Sequence, residues 1–175
     1  AMRLGFLHFL KSNSYTLVML DCDGTYPPEE IIKILKRVKK NNIVIGDRLH
    51  GNIDDGAMTR LNYLGNHLLT WIATTLFGVA TNDLCSGYWA FSRESLSRIK
   101  LNSMKFEIEA EMFTSCAIEG IDFSFVPIRY SKRIGEAKLG SVPDGWIILR
   151  KLLVRRIFPT PVELRLGESN LAIKN

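Results

Sequence analysis

A chain of 175 residues with 46% hydrophobic content is long enough to bury one core, and one domain is the expectation from size. A net charge of +5 and a pI near 9.2 suit phosphate-rich ligands or an anionic membrane surface as well as an ordinary solvated basic face, and the lack of any basic and aromatic module argues against nucleic acid. Three cysteines, Cys22, Cys85 and Cys116, with no C-x-x-C spacing argue against a disulfide framework and read as reduced cytoplasmic thiols.

Residues 2–10 read as a helix, without the order of charge, apolar run and cleavage site that marks a signal peptide. A strand at 16–20 and a helix at 28–39 follow, the helix with prolines at its start and lysines at its end. With a second strand at 42–45 this is βαβ order, which places ligands at the carboxyl ends of the strands, where Asp21, Asp23 and Arg48 fall. Residues 49–59 are polar with two glycines and read as a mobile loop beside the site. A helix is predicted at 60–77. The apolar stretch 64–80 is interrupted by Asn66, His67, Thr70, Thr74 and Thr75 and falls short of the ~20 residues a membrane span needs, so it reads as buried. Residues 87–91 suggest a strand, 93–99 and 107–119 helices, and 123–130 a strand ending at the site. Residues 146–158 carry a wide apolar face and a basic one, then stop at Pro159 and Pro161. Such a helix lies either in a membrane interface, cations toward anionic head groups, or against protein. Residues 162–175 read as a poorly ordered tail.

The chemistry concentrates where the first strand ends, at Asp21-Cys22-Asp23-Gly24-Thr25. Two aspartates at i and i+2 on an extended segment point the same way and can serve one hard cation. Oxygen ligands suit Mg²⁺ or Mn²⁺, which complete their shells with water and substrate phosphates, so a nucleotide diphosphate is the natural partner. A strand followed by D-x-D-G-T also opens haloacid-dehalogenase-type phosphatases, and Ile43 to Asp47 with Asp54 and Asp55 echoes their later metal motif. Those phosphatases need several βα units between the two motifs; one helix separates them here.

The chain resembles inverting glycosyltransferases of the dolichyl-phosphate mannose synthase type over most of residues 1–158. Asp21-Cys22-Asp23 is similar to the family's metal-binding D-x-D, and Val44-Ile45-Gly46-Asp47-Arg48 to its V-I-G-S-R. Arg60 stands where a second arginine begins the helix after the variable loop. Asp83 through Ser86-Gly87 to Arg93 resembles D-x-x-S-G-F-R-x-F-x-R, residues 106–111 the F-x-x-E segment, and Pro127 to Tyr130 with Arg133, Gly135 and Lys138 the P-I-x-Y…R-x-G-x-S-K-L run. Thr25, Asp47 and Ala137 depart from the pattern, standing where a glutamine, a small residue and a serine are usual. The family's opening P-x-x-N-E and D-D-x-S-x-D strands have no counterpart, so a fragment, or a chain completed by another, is expected.

The resemblance implies an α/β fold of the GT-A type, a Rossmann-like nucleotide-diphospho-sugar transferase sheet with flanking helices, incomplete at its N-terminus. Residues 1–145 would be a partial catalytic domain, 146–161 an amphipathic interface helix and 162–175 a tail. It further implies metal-dependent, inverting transfer of a sugar such as mannose from a nucleotide-diphosphate sugar to a polyprenyl (dolichyl) phosphate by a cytoplasmic protein peripheral to the membrane surface. Asp21 and Asp23 would hold Mg²⁺ or Mn²⁺, while Arg48, Arg60 and Arg133 would match phosphate oxygens. The acceptor oxygen is already anionic, so no strong base is required. Asp83 would bind sugar hydroxyls or orient an arginine, and would serve as base only for a hydroxyl acceptor. Ser86, Gly87, Glu109, Glu111 and Lys138 are the remaining substrate-binding candidates. Glu109 and Glu111 cannot share one helix face, and which of them enters the site stays open. His8, His50 and His67 form no ligand spacing and are assigned no chemistry; Trp89 and Phe91 read as core. The alternatives are a non-catalytic scaffold or assembly module that forms homo-oligomers through an open sheet edge, or the phosphatase.

Overall fold

A computed structural model describes residues 2–101, 107–135 and 141–159. The element order is α1 (Met2–Lys11), β1 (Thr16–Met19), a 3₁₀ turn (Pro28–Glu30), α2 (Ile31–Leu35), β2 (Asn42–Ile53), α3 (Arg60–Phe77), β3 (Trp89–Ser92), α4 (Arg93–Arg98), α5 (Ile108–Ile118), β4 (Asp122–Tyr130) and α6 (Ser141–Ile157). The architecture is α/β: a four-stranded mixed sheet in the order β1-β3-β2-β4, with β3 antiparallel to both neighbours and β2 parallel to β4.

Side-chain alternation along the strands divides the apolar residues between two faces. Ile43, Ile45, Trp89 and Phe91 join Phe6, Leu96, Phe113 and Leu152 in the larger core, while Val44, Tyr88 and Ala90 join Tyr26, Ile34 and Ile128 in the smaller one. Helices α3, α5 and α6 pack together over the larger core, with α5 almost wholly buried. Trp89 and Phe91 are fully buried, as expected of core.

Three expectations are corrected. The predicted helix 28–39 shrinks to a 3₁₀ turn and α2, because Asn42 captures the backbone that would continue it: Oδ1 accepts from Lys39 N–H at 2.6 Å and Nδ2 donates to the Arg37 carbonyl at 2.9 Å. The predicted loop 49–59 is strand as far as Ile53. A bulge between Asp47 and Asn52 lets β2 resume pairing with Arg129 and Tyr130, and a side chain at Gly51 would meet the Ile128 carbonyl at 1.9 Å. Helix α3 is not buried. Thr59 caps it through Asn62 N–H, Gly78 ends it at φ 65°, and Leu61, Leu64, Leu68 and Trp71 form an outward stripe, Trp71 being 65% exposed.

Helix α6 begins earlier than the sequence suggested and packs one face against the body, as the second of its two expected settings requires. Leu152 and Arg155 are buried, with Lys151 3.6 Å from Glu111 and Arg155 Nε 3.4 Å from Thr114 on α5, while Trp146, Ile147, Val154 and Ile157 face outward. The cations are therefore divided: Lys151 and Arg155 turn into the body, and Arg150 and Arg156 remain exposed. No helix among the described residues is long and apolar enough to cross a membrane.

Candidate active site

The chain leaves β1 at Met19, so Asp21 and Asp23 stand on a turn and not on the extended segment that periodicity implied. The Asp23 carboxylate accepts from the Thr25 backbone N–H at 3.0 Å and from the Thr25 hydroxyl, and it pairs with Arg133 at 2.6 Å. Backbone bonds from Ile134 N–H to the Asp23 carbonyl and from Ser131 N–H to the Thr25 carbonyl, both 2.8 Å, tie the segment after β4 to this turn and deliver Arg133. Burial opposes it, but the Thr25 bonds and Arg133 hold the Asp23 carboxyl below its ordinary range. Asp21 is open to solvent along much of its surface, yet its carboxylate packs on Gly87. Desolvation there, and then repulsion by Asp23, raise the Asp21 carboxyl against the pull of Arg133 and Arg48. A Cβ on Gly87 would lie 2.5 Å from Asp21 Oδ2, so any larger residue there displaces that carboxylate.

This donor set fits a Mg²⁺ or Mn²⁺ ion. Two adjacent carboxylates repel each other, and a hard divalent cation needs only one or two from the protein. No group of three or more His, Cys, Asp or Glu is gathered for a metal among the described residues, so water and substrate oxygens would complete the shell.

Arg48 and Asp83 form a sealed pair. Arg48 Nε and Nη2 each donate to Asp83 at 2.7 Å, the Arg48 backbone N–H adds a bond of 3.0 Å, and neither side chain is more than 7% exposed. Burial works against the guanidinium charge, but Asp83 outweighs it and holds Arg48 well above its ordinary value. The guanidinium also lies 5.2 Å over the Tyr130 ring, and Tyr130 packs edge-on against Tyr26, whose hydroxyl accepts from Gly87 N–H at 2.7 Å. Asp83 thus orients an arginine; with both oxygens occupied and no exposure it is not placed to act as a base. Ser86 is likewise spoken for: its buried hydroxyl donates to the Gly46 carbonyl and accepts from Tyr88 N–H.

The two glutamates divide as helix geometry requires. Glu109 is the one that faces the site: burial, then repulsion from Asp21, pushes its carboxyl up to about 7 despite Arg48. Glu111 turns the other way, toward Lys151. Burial pushes the Cys85 thiol up to about 12, which removes it as a nucleophile. Arg60 is exposed and lines a groove of about 300 Å³ with Ile53, Met58, Tyr63 and Leu64. Lys138 lies outside the described residues, as does the tail at 162–175. The phosphatase echo does not converge on Asp21: Asp54 pairs with Arg129 at 2.9 Å and Asp47 with His50 at 2.9 Å.

That last pair went unnoticed in the sequence. Asp47, fully buried, accepts from the His50 backbone N–H, from its imidazole and from Asn82 Nδ2. Two residues three apart on a regular strand face opposite ways, and it is the bulge that joins them. The only available signal was the charged residue at the position of a usually small one.

No family model matches the chain. It is 39% identical over 142 residues to glycosyltransferase AglJ, 36% over 141 to low-salt glycan biosynthesis hexosyltransferase Agl6, and 33% over 138 to a dolichyl-phosphate hexose transferase, all of Haloferax volcanii. These matches take in 78–79% of this chain but only 46%, 34% and 59% of the respective relatives, so the chain spans a third to three fifths of their lengths. Over those stretches the chain is a homologue of part of a dolichyl-phosphate hexose transferase and of related glycosyltransferases.

Proposed function

We propose that this chain is part of a GT-A glycosyltransferase domain that moves a hexose, with inversion, from a nucleotide-diphosphate sugar to a polyprenyl phosphate. The observation that carries the reading is the meeting of Asp21, Asp23, Arg133, Glu109 and the Arg48–Asp83 pair at one end of the sheet. A Mg²⁺ or Mn²⁺ ion held by Asp21 and Asp23 would supply Lewis-acid stabilisation of the departing diphosphate. Arg133 sits beside those carboxylates and neutralises donor phosphate charge. Arg60 lines the apolar groove, which suits a phosphate head followed by an apolar chain. In-line attack by the acceptor oxygen on the anomeric carbon then needs positioning above all.

The outward stripe of α3 and the outward face of α6 belong to helices that touch, and their exposed Trp71 and Trp146 suit the head-group boundary of a lipid surface. Calorimetry with a panel of nucleoside diphosphates and their sugars tests the reading. Binding that needs Mn²⁺ and vanishes in Asp23→Ala is expected; silence across the panel with Mn²⁺ present would refute a donor site in this chain.

A further inference from the structure

Beside Arg48, on the exposed side of the same strand, stands a group that the reaction as written leaves idle. The two oxygens of buried Asp47 lie 3.1 and 2.9 Å from His50 Nδ1. Asp47 is itself pinned by the His50 backbone N–H at 3.0 Å and Asn82 Nδ2 at 2.9 Å. A carboxylate only accepts, so Nδ1 carries a ring proton and turns it toward Asp47. The imidazole is 55% exposed, and Nε2 is its end away from Asp47. The neighbouring helix α3 contributes His67, edge-on to His50 at 6.2 Å between ring centres, and Tyr63, edge-on to His67 at 4.5 Å. Tyr63 lines the groove that Arg60 opens. The titratable groups facing the His50 ring are therefore Asp47 from β2 and His67 from α3, with Tyr63 behind. Arg48 is turned inward to Asp83.

We propose that His50, oriented by Asp47, is a further catalytic residue that takes the last proton from a phosphate-monoester acceptor. This rests on the transferase reading and deepens it. A phosphate monoester loses its second proton near about pH 6, within the range in which an imidazole changes charge. The match suits a weak base where no strong one is needed. The acceptor's P–O–H bond breaks and its proton passes to Nε2, leaving an imidazolium paired with Asp47. The freed phosphate oxygen forms a bond to the anomeric carbon as the bond from that carbon to the diphosphate breaks, its electron pair leaving with the diphosphate. The proton returns to solvent after product release.

Imidazole ¹⁵N NMR of the whole chain tests this, with His50 signals assigned through His50→Gln and geranyl phosphate as the probe. In the free protein at neutral pH, Nδ1 should be protonated and Nε2 bare; saturation with geranyl phosphate should protonate Nε2. Calorimetry should show that His50→Gln still binds geranyl phosphate, with affinity lowered by no more than about tenfold. The exposed glutamine leaves the core untouched and can still donate to Asp47. Geranyl phosphate binding that leaves Nε2 bare would overturn the proposal and leave the transferase reading standing. No binding of geranyl phosphate by the native chain would overturn both.

Discussion

Asp23 meets Arg133 at 2.6 Å with both side chains partly open to solvent, whereas Asp83 meets Arg48 at 2.7 Å with almost no exposure and three hydrogen bonds. The chemistry is the same and the setting reverses its meaning. The open pair stands on a turn, is held by short-range bonds to Thr25, and can exchange Arg133 for other partners at little cost. The sealed pair cannot part without stranding a charge in the core. A donor that arrives and leaves with its diphosphate suits the first arrangement, and a fixed internal support for the surrounding backbone suits the second.

Breaking the sealed pair should have the largest effect. Asp83→Ala leaves the Arg48 guanidinium buried and unpaired and should cost about 3–5 kcal/mol in urea unfolding, much of it recovered by the double replacement Arg48→Met, Asp83→Leu. Gly87→Ala comes next. Its new methyl would lie 2.5 Å from Asp21 Oδ2, so Mn²⁺-dependent nucleotide binding should weaken about tenfold or more by calorimetry, at a stability cost of about 1–3 kcal/mol. Asp23→Ala, on the open side, should remove that binding altogether while stability moves by less than about 1 kcal/mol.

The smallest effect is electrostatic. The Glu109 carboxyl stands at about 7 in the fold against an ordinary 4.5, so between these values the native state holds a proton that the unfolded chain has released. Its contribution is complete below about pH 4.5 and is lost as pH rises through about 7. The melting temperature in chelator should therefore fall over that interval, and Glu109→Gln should flatten the fall. An unchanged slope in Glu109→Gln would place the carboxyl outside the desolvated cleft.

The regular elements were legible because local rules agree with tertiary demand. Helix α3 runs from Arg60 to Phe77 as its N-cap Thr59 and Gly78 imply, and β4 departs from the expected strand by one residue. The site residues were legible as types and motifs, while their division of labour was not. Asp83 sits 35 residues from Arg48, and no spacing tells that both its oxygens are consumed there. Glu109 and Glu111 were separable in principle but not assignable, since the choice depends on where α6 lies. The Asp47–His50 contact depends on a bulge that pairing with β4 creates. The outward stripe of α3 misled because an apolar helix reads as buried, whatever surface its exposed side meets.

The turn that carries the two carboxylates also places a thiol between them. Cys22 is exposed, while Cys116 is buried and Cys85 has its thiol pushed up to about 12. The native chain thus comes with its own labelling position. One equivalent of a maleimide fluorophore should settle on Cys22 alone, giving an optical reporter at the cleft that reads metal and nucleotide arrival without a single substitution.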